Sequence, residues 1–521
     1  MAALAGWIAR LDGIPVPLRL ALLAGLCFFL NLGAAPLFDV DEGAFSAATM
    51  EMLARGDYVM TWLGGQPRFD KPILIYWLQA ASVSCFGLNE WALRLPSALA
   101  ATGWMLLTWR FARRFGEATG QYAALVLACA LAPMLIGRSA TADALLDLCI
   151  AGALLDAWRH IETGARAPLL RMYAWMGVGL LAKGPIAALV PLMPAVLWCV
   201  IERDWRRLWR AVFEPAGWVL TLAIAAPWYI AIYIDQGQAF IDGFILKHNV
   251  GRFGGTMLGH GGSVFYYLAV LPLVLLPFTG LLIVVAGGLR SQWRDPLDRF
   301  LWLAFACVFV FFSLSRTQLP HYILYGATPL AILMARHRQR LMSSWLTYLP
   351  VFLLGTALLL LPELLHLASS RADPAKYREL LAQADASFGL VYRIGPVVLL
   401  MAAASMWMIG WSRTQGLAIV ALTQVVVVAM IIVPIAGYWQ QGRVVEAAAV
   451  ARSRSEPVVT WGANQPSFAV YRGVVTPVRQ PLAGEIVLTR SDRLVEWPTA
   501  EILYRSGGLA LAKLPASAND R

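Results

Sequence analysis

The sequence is short of charged residues: only 14% of its 521 residues are Asp, Glu, Lys or Arg, whereas 59% are hydrophobic. A soluble globular protein carries about 25% charged residues. Apolar runs of roughly 20 residues recur along most of the chain, which is the pattern of a polytopic helical membrane protein. The shortage of charge therefore excludes an ordinary soluble protein for most of the length.

Cysteine is also scarce, and its pattern excludes two classes of site. The six cysteines lie in apolar stretches without a CxxC spacing, at Cys27, Cys85, Cys129, Cys149, Cys199 and Cys307. We interpret them as small hydrophobic residues, and expect neither a disulfide framework nor a cysteine metal cluster. No small-residue cleavage site follows the first basic residues, so we predict a retained first span rather than a removed signal peptide.

The net charge of +11 raises the question of nucleic acid binding. The basic residues do not form one patch. They occur in short clusters between apolar runs, such as RFARRFGE (110–117), RDWRRLWR (203–210) and RHRQRL (336–341). We interpret these clusters as cytoplasmic loops that obey the positive-inside rule, and predict no nucleic acid partner.

These clusters orient the predicted spans. The basic N-terminus lies inside, a span near residues 18–37 leads out, and the cluster at 110–117 must again lie inside. Only one of the segments 73–87 and 97–110 can therefore cross the membrane. Segment 73–87 is the shorter, so we predict that it lies at the interface or dips into the protein.

The same parity argument places the rest of the chain. Further spans are predicted near residues 119–137, 144–159, 172–182, 186–201, 213–233, 263–288, 300–315, 321–335, 346–362, 391–411 and 416–437. The predicted fold is an all-α polytopic membrane protein with about thirteen transmembrane helices and its C-terminus outside. Residues 1–440 form the membrane domain, with outer loops at 38–96 and 234–262.

Residues 441–521 have a different pattern. The stretches PVVTWG, FAVYRG, EIVLTR and LALAKL are separated by Gly, Pro and Asn and are typical of short strands. We predict a small soluble α/β domain on the outer side of the membrane.

The first outer loop begins with a concentration of carboxylates. Asp39, Asp41 and Glu42 lie within four positions, and DEGAFSAATMEMLARGD (41–57) predicts a short amphipathic helix. Acidic residues at a helix start complement the helix dipole, which is one explanation. Capping uses a single carboxylate, so the group also indicates a chemical role.

The end of this loop places Asp70 and Lys71 where the chain returns to the membrane boundary. Lys71 could extend its ammonium out of the interface, with aromatic neighbours around its stem. The alternative is functional: a carboxylate that binds a metal or orients a group, beside an ammonium that holds a phosphate.

Other outer turns carry cations, histidines and a further acid. These residues are Lys247, His248, Arg252 and His260 in the second outer loop, Arg316, His321 and Tyr322 in a later turn, and Asp143 near Arg138. Pairing of Asp143 with Arg138 or Lys183 is an alternative to a direct role. Together these turns suit a substrate with a lipid tail and a phosphate head, which cations bind while a carboxylate activates a hydroxyl.

Several motifs carry a resemblance to a known family. They are DEGAFSAATMEML, FDKPILIYWL, FGLNEWALRLPSAL, LLAKGP, LKHNVGRF and LSRTQLPHYILY, in this order. The chain resembles the ArnT-like and protein O-mannosyltransferase-like membrane glycosyltransferases of the GT-C type, the PMT superfamily. The resemblance covers roughly residues 20 to 340 and is densest within 36–100.

The resemblance implies transfer of a sugar from a polyprenyl-phosphate donor, of the undecaprenyl-phosphate type, to a lipid, glycan or protein acceptor. The reaction would take place at the periplasmic face of a bacterial inner membrane and invert the anomeric centre. Transfer of aminoarabinose to lipid A is one possibility. ArnT proteins usually have Arg-Tyr where this chain has Ala44-Phe45, which leaves the acceptor open. A transporter of a lipid-linked anion is the rival interpretation, but we find no half-repeat of the kind such proteins have.

The resemblance also implies residue roles. Asp41, with its neighbour Glu42, would be catalytic, and Lys71 would bind the donor phosphate. From the charge pattern of the outer turns we add Lys247, Arg252 and Arg316 as further phosphate-binding residues, and Asp143, His321 and Tyr322 as residues that position substrate. Asp70 with His248 or His260 would hold a divalent metal ion, the only cofactor expected.

Overall fold

A computed structural model describes residues 13–251, 262–369, 379–381, 383–409 and 412–516. Most of these residues are helical. The first half contains helices Val16–Ala24, Asp41–Arg55, Leu74–Phe86, Glu90–Ala112, Glu117–Cys129, Leu131–Gly137, Asp143–Thr163, Arg166–Lys183, Ile186–Ile201, Trp205–Val212, Pro215–Gln236 and Gln238–Phe240, with π-helical segments Gly25–Phe29 and Ile241–Val250 and a 3₁₀ turn at Arg113–Phe115.

The second half continues the helical bundle. It contains helices Tyr266–Val274, Thr279–Gly287, Leu289–Gln292, Pro296–Leu314, Ala327–Arg336, Ser344–Leu359, Leu361–Ser369, Ala384–Ser387, Leu390–Met408, Arg413–Val427, Val433–Arg452 and Ser467–Arg472, with a π-helical segment Val428–Ile432 and 3₁₀ turns at Pro320–Gly326, Arg338–Arg340 and Ser491–Glu496.

Length and hydropathy identify membrane-spanning helices among the described residues. Four are long and apolar enough to cross a bilayer: Trp205–Gln236 (two consecutive helices), Pro296–Leu314, Leu390–Met408 and Arg413–Arg452. Three bent helix pairs raise this number to seven if each pair is one span. The chain is therefore a multi-pass membrane protein, and the count of about thirteen spans stays a prediction.

Two predicted spans are not straight helices. Residues 119–137 bend by 72° between Glu117–Cys129 and Leu131–Gly137, and residues 263–288 bend by 120° between Tyr266–Val274 and Thr279–Gly287. The two breaks lie together: the Leu131 N–H donates to the Leu276 carbonyl (2.9 Å), as does the Gln424 side-chain amide (3.1 Å). Backbone groups freed by the breaks are thus satisfied inside the protein, which is how a membrane helix tolerates interruption.

The segment predicted not to cross, 73–87, forms the helix Leu74–Phe86. Its 13 residues extend about 20 Å, less than the roughly 30 Å of a hydrocarbon core. It packs against the first-loop helix, Asp41–Arg55, through Tyr76, whose ring stacks on Phe45 at 5.4 Å. The first-loop helix itself agrees with the prediction and ends at Gly56, which has a left-handed φ of 68°.

The C-terminal sheet domain includes the last turns of a long helix, whose Val444, Ala447 and Ala451 pack in the core of the domain. Helix Val433–Arg452 continues through the boundary drawn at 440/441. The sheet contains β3 (Val458–Thr460), β4 (Ile486–Arg490), β5 (Glu501–Ser506) and β6 (Leu509–Lys513) in the order β3-β4-β6-β5, where only β3 and β4 are parallel. Strands β1 (Trp62–Leu63) and β2 (Gln66–Pro67) form a separate hairpin in the first loop.

One predicted strand of this domain is wrong. FAVYRG contains the helix Ser467–Arg472, and β5 had no counterpart in the prediction. The helix packs against the first-loop helix, and its Phe468 and Val470 are buried. A stretch of β-branched and aromatic residues fits either structure when it is short, and here tertiary packing decided.

Candidate active site

Two cavities are lined by acids, cations and histidines that the sequence singled out. The larger, of about 390 Å³, has a polar lining that includes Asp41, Glu42, Arg94, Asp143 and His321. The smaller, of about 190 Å³, has a polar lining of Asp70, Lys71, Lys183, His248 and Tyr325 among others, with Ile186, Leu189, Phe311 and Phe312 on its apolar side. Asp143 lines the first and Lys183 the second.

Asp143 and Lys183 form a buried ion pair that lies between the two cavities. They begin and end neighbouring helices, Asp143–Thr163 and Arg166–Lys183, which pack along their lengths. Lys183 also donates to the Tyr325 hydroxyl at 3.2 Å. Of the two partners considered for Asp143, the structure selects Lys183. Arg138 instead donates to the backbone carbonyls of Cys27, in the π-helical segment Gly25–Phe29, and of Leu30, just after it.

The surroundings of His321 show that the turns carrying the candidate residues converge. Its Nε2 lies 3.5 Å from the Asp143 carboxylate. Burial is the main cause that lowers the pKa of His321 to about 4; Lys183 and Lys71 lower it further, and Asp143 and Asp41 oppose them. One neutral imidazole thus responds to two acids and two cations from four separate segments of the chain.

Asp41 and Glu42 are adjacent in sequence but differ in environment. Asp41 is exposed and lines the larger cavity, where it is available to a substrate. Glu42 is buried: its carboxylate accepts from Arg94 at 2.7 and 2.9 Å, and from the backbone N–H groups of Phe38 and Ala140. Burial alone would raise the pKa of Glu42, but Arg94 and the N–H groups outweigh it and lower that pKa. These contacts are those of a residue that positions the helix start.

Asp70 is surrounded by cations. One carboxylate oxygen accepts from Lys71 at 2.8 Å and lies 3.1 Å from His248 Nδ1, and the other accepts from Arg68 at 3.2 Å. The Arg68 guanidinium also donates to the Ala44 carbonyl and stacks over Phe45. The guanidinium therefore packs directly against the Ala44-Phe45 pair.

The fit of a divalent metal can be tested at this point. Asp70 and His248 are brought together as two ligands would be, and His248 Nδ1 is buried without an aligned hydrogen bond. However, Lys71 and Arg68 already bind the carboxylate, and the described residues contain no group of three acidic, His or Cys side chains that could hold a metal. If a metal ion does bind here, Asp70 and His248 are the residues that would hold it, and the ion would add positive charge beside a phosphate. The metal site stays a prediction, and no step below depends on it.

The remaining predicted residues fall into three groups. Tyr322 is buried in the wall of the smaller cavity, with the Lys183 ammonium 5.5 Å from its ring centre. Lys247 and Arg316 are exposed and line neither cavity. Arg252 and His260 lie outside the described residues.

Arg94 and Tyr325 had no role assigned from the sequence, and Lys183 was considered only as a partner of Asp143. Arg94 and Lys183 did carry a signal. Each is an ionisable residue next to a long apolar stretch of its helix, which by default indicates function or a charge partner. Tyr325 carried none, because tyrosine is common near membrane surfaces.

The chain is similar in sequence to several known proteins. Residues 70–230 match the family model described as dolichyl-phosphate-mannose-protein mannosyltransferase. The chain is 29% identical over 351 residues to the undecaprenyl phosphate-alpha-4-amino-4-deoxy-L-arabinose arabinosyl transferase of Edwardsiella ictaluri, covering 66% of this chain and 61% of that one. It is 30% identical over 332 residues to the protein of the same name from Erwinia tasmaniensis, covering 61% and 59%. The chain therefore spans about three fifths of the length of these relatives.

The fold is similar to that of a solved structure over nearly the whole chain. ArnT from Cupriavidus metallidurans, bound to undecaprenyl phosphate, superposes with a TM-score of 0.79 at 21% identity, covering 98% of both chains. The same protein in the apo state gives 0.77. Helical bundle, first-loop helices and C-terminal sheet domain thus belong to one shared architecture. By sequence and by fold, the chain is similar to ArnT-like proteins of the PMT superfamily.

Proposed function

We propose that this protein transfers a glycosyl group from a polyprenyl-phosphate sugar donor to an acceptor at the periplasmic face of a bacterial inner membrane. The observation that carries the proposal is the juxtaposition of the two cavities on either side of the Asp143–Lys183 pair. One cavity combines cations with apolar walls, as a lipid phosphate requires. The other exposes a carboxylate, Asp41, as an acceptor hydroxyl requires.

The donor phosphate belongs in the smaller cavity. Lys71 and Lys183 supply two positive charges there, the Tyr325 hydroxyl is within reach of Lys183, and the aromatic and aliphatic wall suits the first isoprene units. Charge develops on the phosphate oxygen as the bond to the sugar breaks, so fixed ammonium groups stabilise the transition state more than the bound donor.

The acceptor approaches through the larger cavity. Asp41 orients its hydroxyl and accepts its proton, a new bond forms between that oxygen and the anomeric carbon, and polyprenyl phosphate leaves with the electron pair of the old bond. Attack opposite the leaving phosphate inverts the anomeric centre. An acceptor that is itself a phosphate needs no base, and Asp41 then only orients it.

The relatives' name makes 4-amino-4-deoxy-L-arabinose on undecaprenyl phosphate the first donor to test. Lipid A is one candidate acceptor among lipids, glycans and proteins. Protein in nanodiscs is incubated with the labelled donor and each acceptor, and transfer is followed by mass spectrometry. Asp41→Asn and Lys71→Ala are expected to lose most of the transfer rate.

Matched control variants distinguish a defect of the site from a general loss of folded protein. Asp492→Asn and Lys513→Ala change the same residue types in surface ion pairs of the C-terminal domain, and should transfer at the normal rate. Full activity of both Asp41→Asn and Lys71→Ala would remove the assignment. Movement of the lipid-linked sugar across the bilayer without transfer would instead support a transporter.

A further inference from the structure

Asp39 lies two residues before Asp41 but binds a distant part of the chain. Its carboxylate accepts from the backbone N–H of Ser467 at 3.0 Å and from the Ser467 hydroxyl at 2.5 Å, across 428 positions of sequence. Both oxygens are used, one by each donor. Asp39 lines the larger cavity, yet its carboxylate is directed to the C-terminal domain.

The approach of the two segments depends on a glycine. A Cβ on Gly43 would lie 1.8 Å from the nearer Asp39 oxygen and 2.7 Å from the Ser467 nitrogen. No real side chain tolerates such distances, so only glycine at this position allows the first-loop helix, the Asp39 carboxylate and the helix Ser467–Arg472 to meet. The contact is therefore a packed junction rather than a surface touch.

Two further hydrogen bonds hold the same domain to the first loop. The Leu37 N–H donates to the Tyr471 hydroxyl at 2.6 Å, and Tyr471 lies one helical turn after Ser467, on the same face. The Val478 N–H donates to the Gly64 carbonyl at 3.1 Å, in the β1–β2 hairpin. The C-terminal domain thus binds the loop at its start and at its tip, on both sides of the first-loop helix.

Polar and charged groups from three elements act on the Asp39 carboxyl group. Glu42 belongs to the first-loop helix, Arg443 to the helix Val433–Arg452, and Ser467 supplies hydroxyl and N–H dipoles. Glu42 is already neutralised by Arg94, so it opposes Asp39 only weakly. The two hydrogen bonds from Ser467 are what keeps this buried carboxyl group in place.

We propose that Asp39 and Ser467 form a latch through which the C-terminal domain sets the position of Asp41. This inference rests on the proposed function and deepens it: Asp39 is a positioning residue, and the sheet domain is part of the active-site structure rather than a separate module. A loop segment fixed at Leu37 and Asp39 leaves the Asp41 backbone little freedom, and placement of a reacting group within a fraction of an ångström governs the rate of transfer.

The test compares Asp39→Ala, Asp39→Asn and Ser467→Ala with the control Asp492→Asn, all in the full-length protein in nanodiscs. Two quantities are measured: hydrogen exchange of the peptides that cover residues 37–46 and 467–472, and kcat and KM for the labelled undecaprenyl-phosphate sugar. Asp39→Ala is expected to exchange faster in both peptides and to lose at least tenfold in kcat with KM for the donor nearly unchanged. Asp39→Asn keeps an acceptor for Ser467, and should recover most of both properties.

Coupling within the latch gives a second check. Asp39→Ala combined with Ser467→Ala should be no worse than Asp39→Ala alone, because the second change removes a contact already lost. Faster exchange with normal kcat, or a lower kcat with normal exchange, would overturn the latch. If the wild-type protein transfers no sugar, the proposed function fails, while the exchange data still decide whether Asp39 and Ser467 bind each other.

Discussion

Glu42 and Arg94 form a two-point ion pair with both side chains buried, the carboxylate oxygens lying 2.7 and 2.9 Å from the guanidinium nitrogens. Arg94 uses its other N–H groups on the carbonyls of Leu32, Ala35 and Pro36. The pair therefore binds the end of the first membrane segment to the start of the first-loop helix, and it fixes where Asp41 emerges.

Breaking this pair should destabilise the protein strongly. Arg94→Met leaves the Glu42 charge buried without a partner, and we expect a loss of about 3–5 kcal/mol. Glu42→Gln combined with Arg94→Met should be less damaging than Arg94→Met alone, since no charge remains. Melting temperatures in detergent check both. If Arg94→Met is as stable as the wild type, the Glu42–Arg94 pair does not hold the loop.

Lys183 should matter for binding of the lipid phosphate as well as for folding, because its removal also leaves the Asp143 charge without its cationic partner. Lys183→Gln keeps a hydrogen-bond donor for Asp143 but removes the positive charge from the smaller cavity. We expect undecaprenyl phosphate to bind about tenfold or more weakly, the loss typical of a charged hydrogen bond. Native mass spectrometry of the lipid complex measures it, with Lys513→Gln as the control. Unchanged binding would move the phosphate away from this cavity.

His321 should make the fold sensitive to acid. Burial lowers its pKa to about 4, below that of an exposed histidine, so the unfolded state binds the proton more readily. The neutral ring contributes full stability above about pH 6.5, and this contribution is lost as the pH falls towards 4, by up to about 1.4 kcal/mol per pH unit. The difference between the melting temperatures at pH 7.5 and at pH 5 should be smaller for His321→Gln than for the wild type. An equal difference would contradict the burial of a neutral ring.

Asp39 should make stability change with pH in the opposite direction to His321. Burial is the main cause that raises its pKa to about 7, although Ser467 and Arg443 lower it. The folded state therefore keeps a proton that the unfolded state releases, and the stability from Asp39 is complete below about pH 4 and is lost as the pH rises through 7. Asp39→Asn removes this loss, so the variant should melt higher than the wild type at pH 8 and like it at pH 4. A variant that is less stable at pH 8 would show that the ionised carboxylate is the favoured form.

Gly43 offers a steric test of the same junction. Gly43→Ala places a Cβ against Asp39 and Ser467, and we expect faster hydrogen exchange in both latch peptides and a fall in kcat. Gly25→Ala is the matched control, because Gly25 is also helical and a Cβ there meets nothing within 4 Å. If the two alanine variants behave alike, the packing around Gly43 is looser than the distances indicate.

Local features of the fold were predictable because consecutive residues carry them. The shortage of charge, the apolar runs and the clusters of arginine indicated a multi-pass membrane protein, and the pattern of DEGAFSAATMEMLARGD (41–57) predicted the first-loop helix. The wrong strand at FAVYRG and the bent spans mark the limit of such patterns. A short apolar stretch fits several structures, and its neighbours in space select one.

The candidate site was likewise predictable from the sequence only in part. The sequence by itself determined which residue types were available, and it predicted that Asp41, Lys71, Asp143 and His321 would lie on outer turns. Only the tertiary structure decided that Glu42 pairs with Arg94, that Asp143 pairs with Lys183 and that Asp39 reaches Ser467. The physical reason is that a buried charge needs a partner at hydrogen-bond distance, and packing of distant segments alone determines which group arrives there.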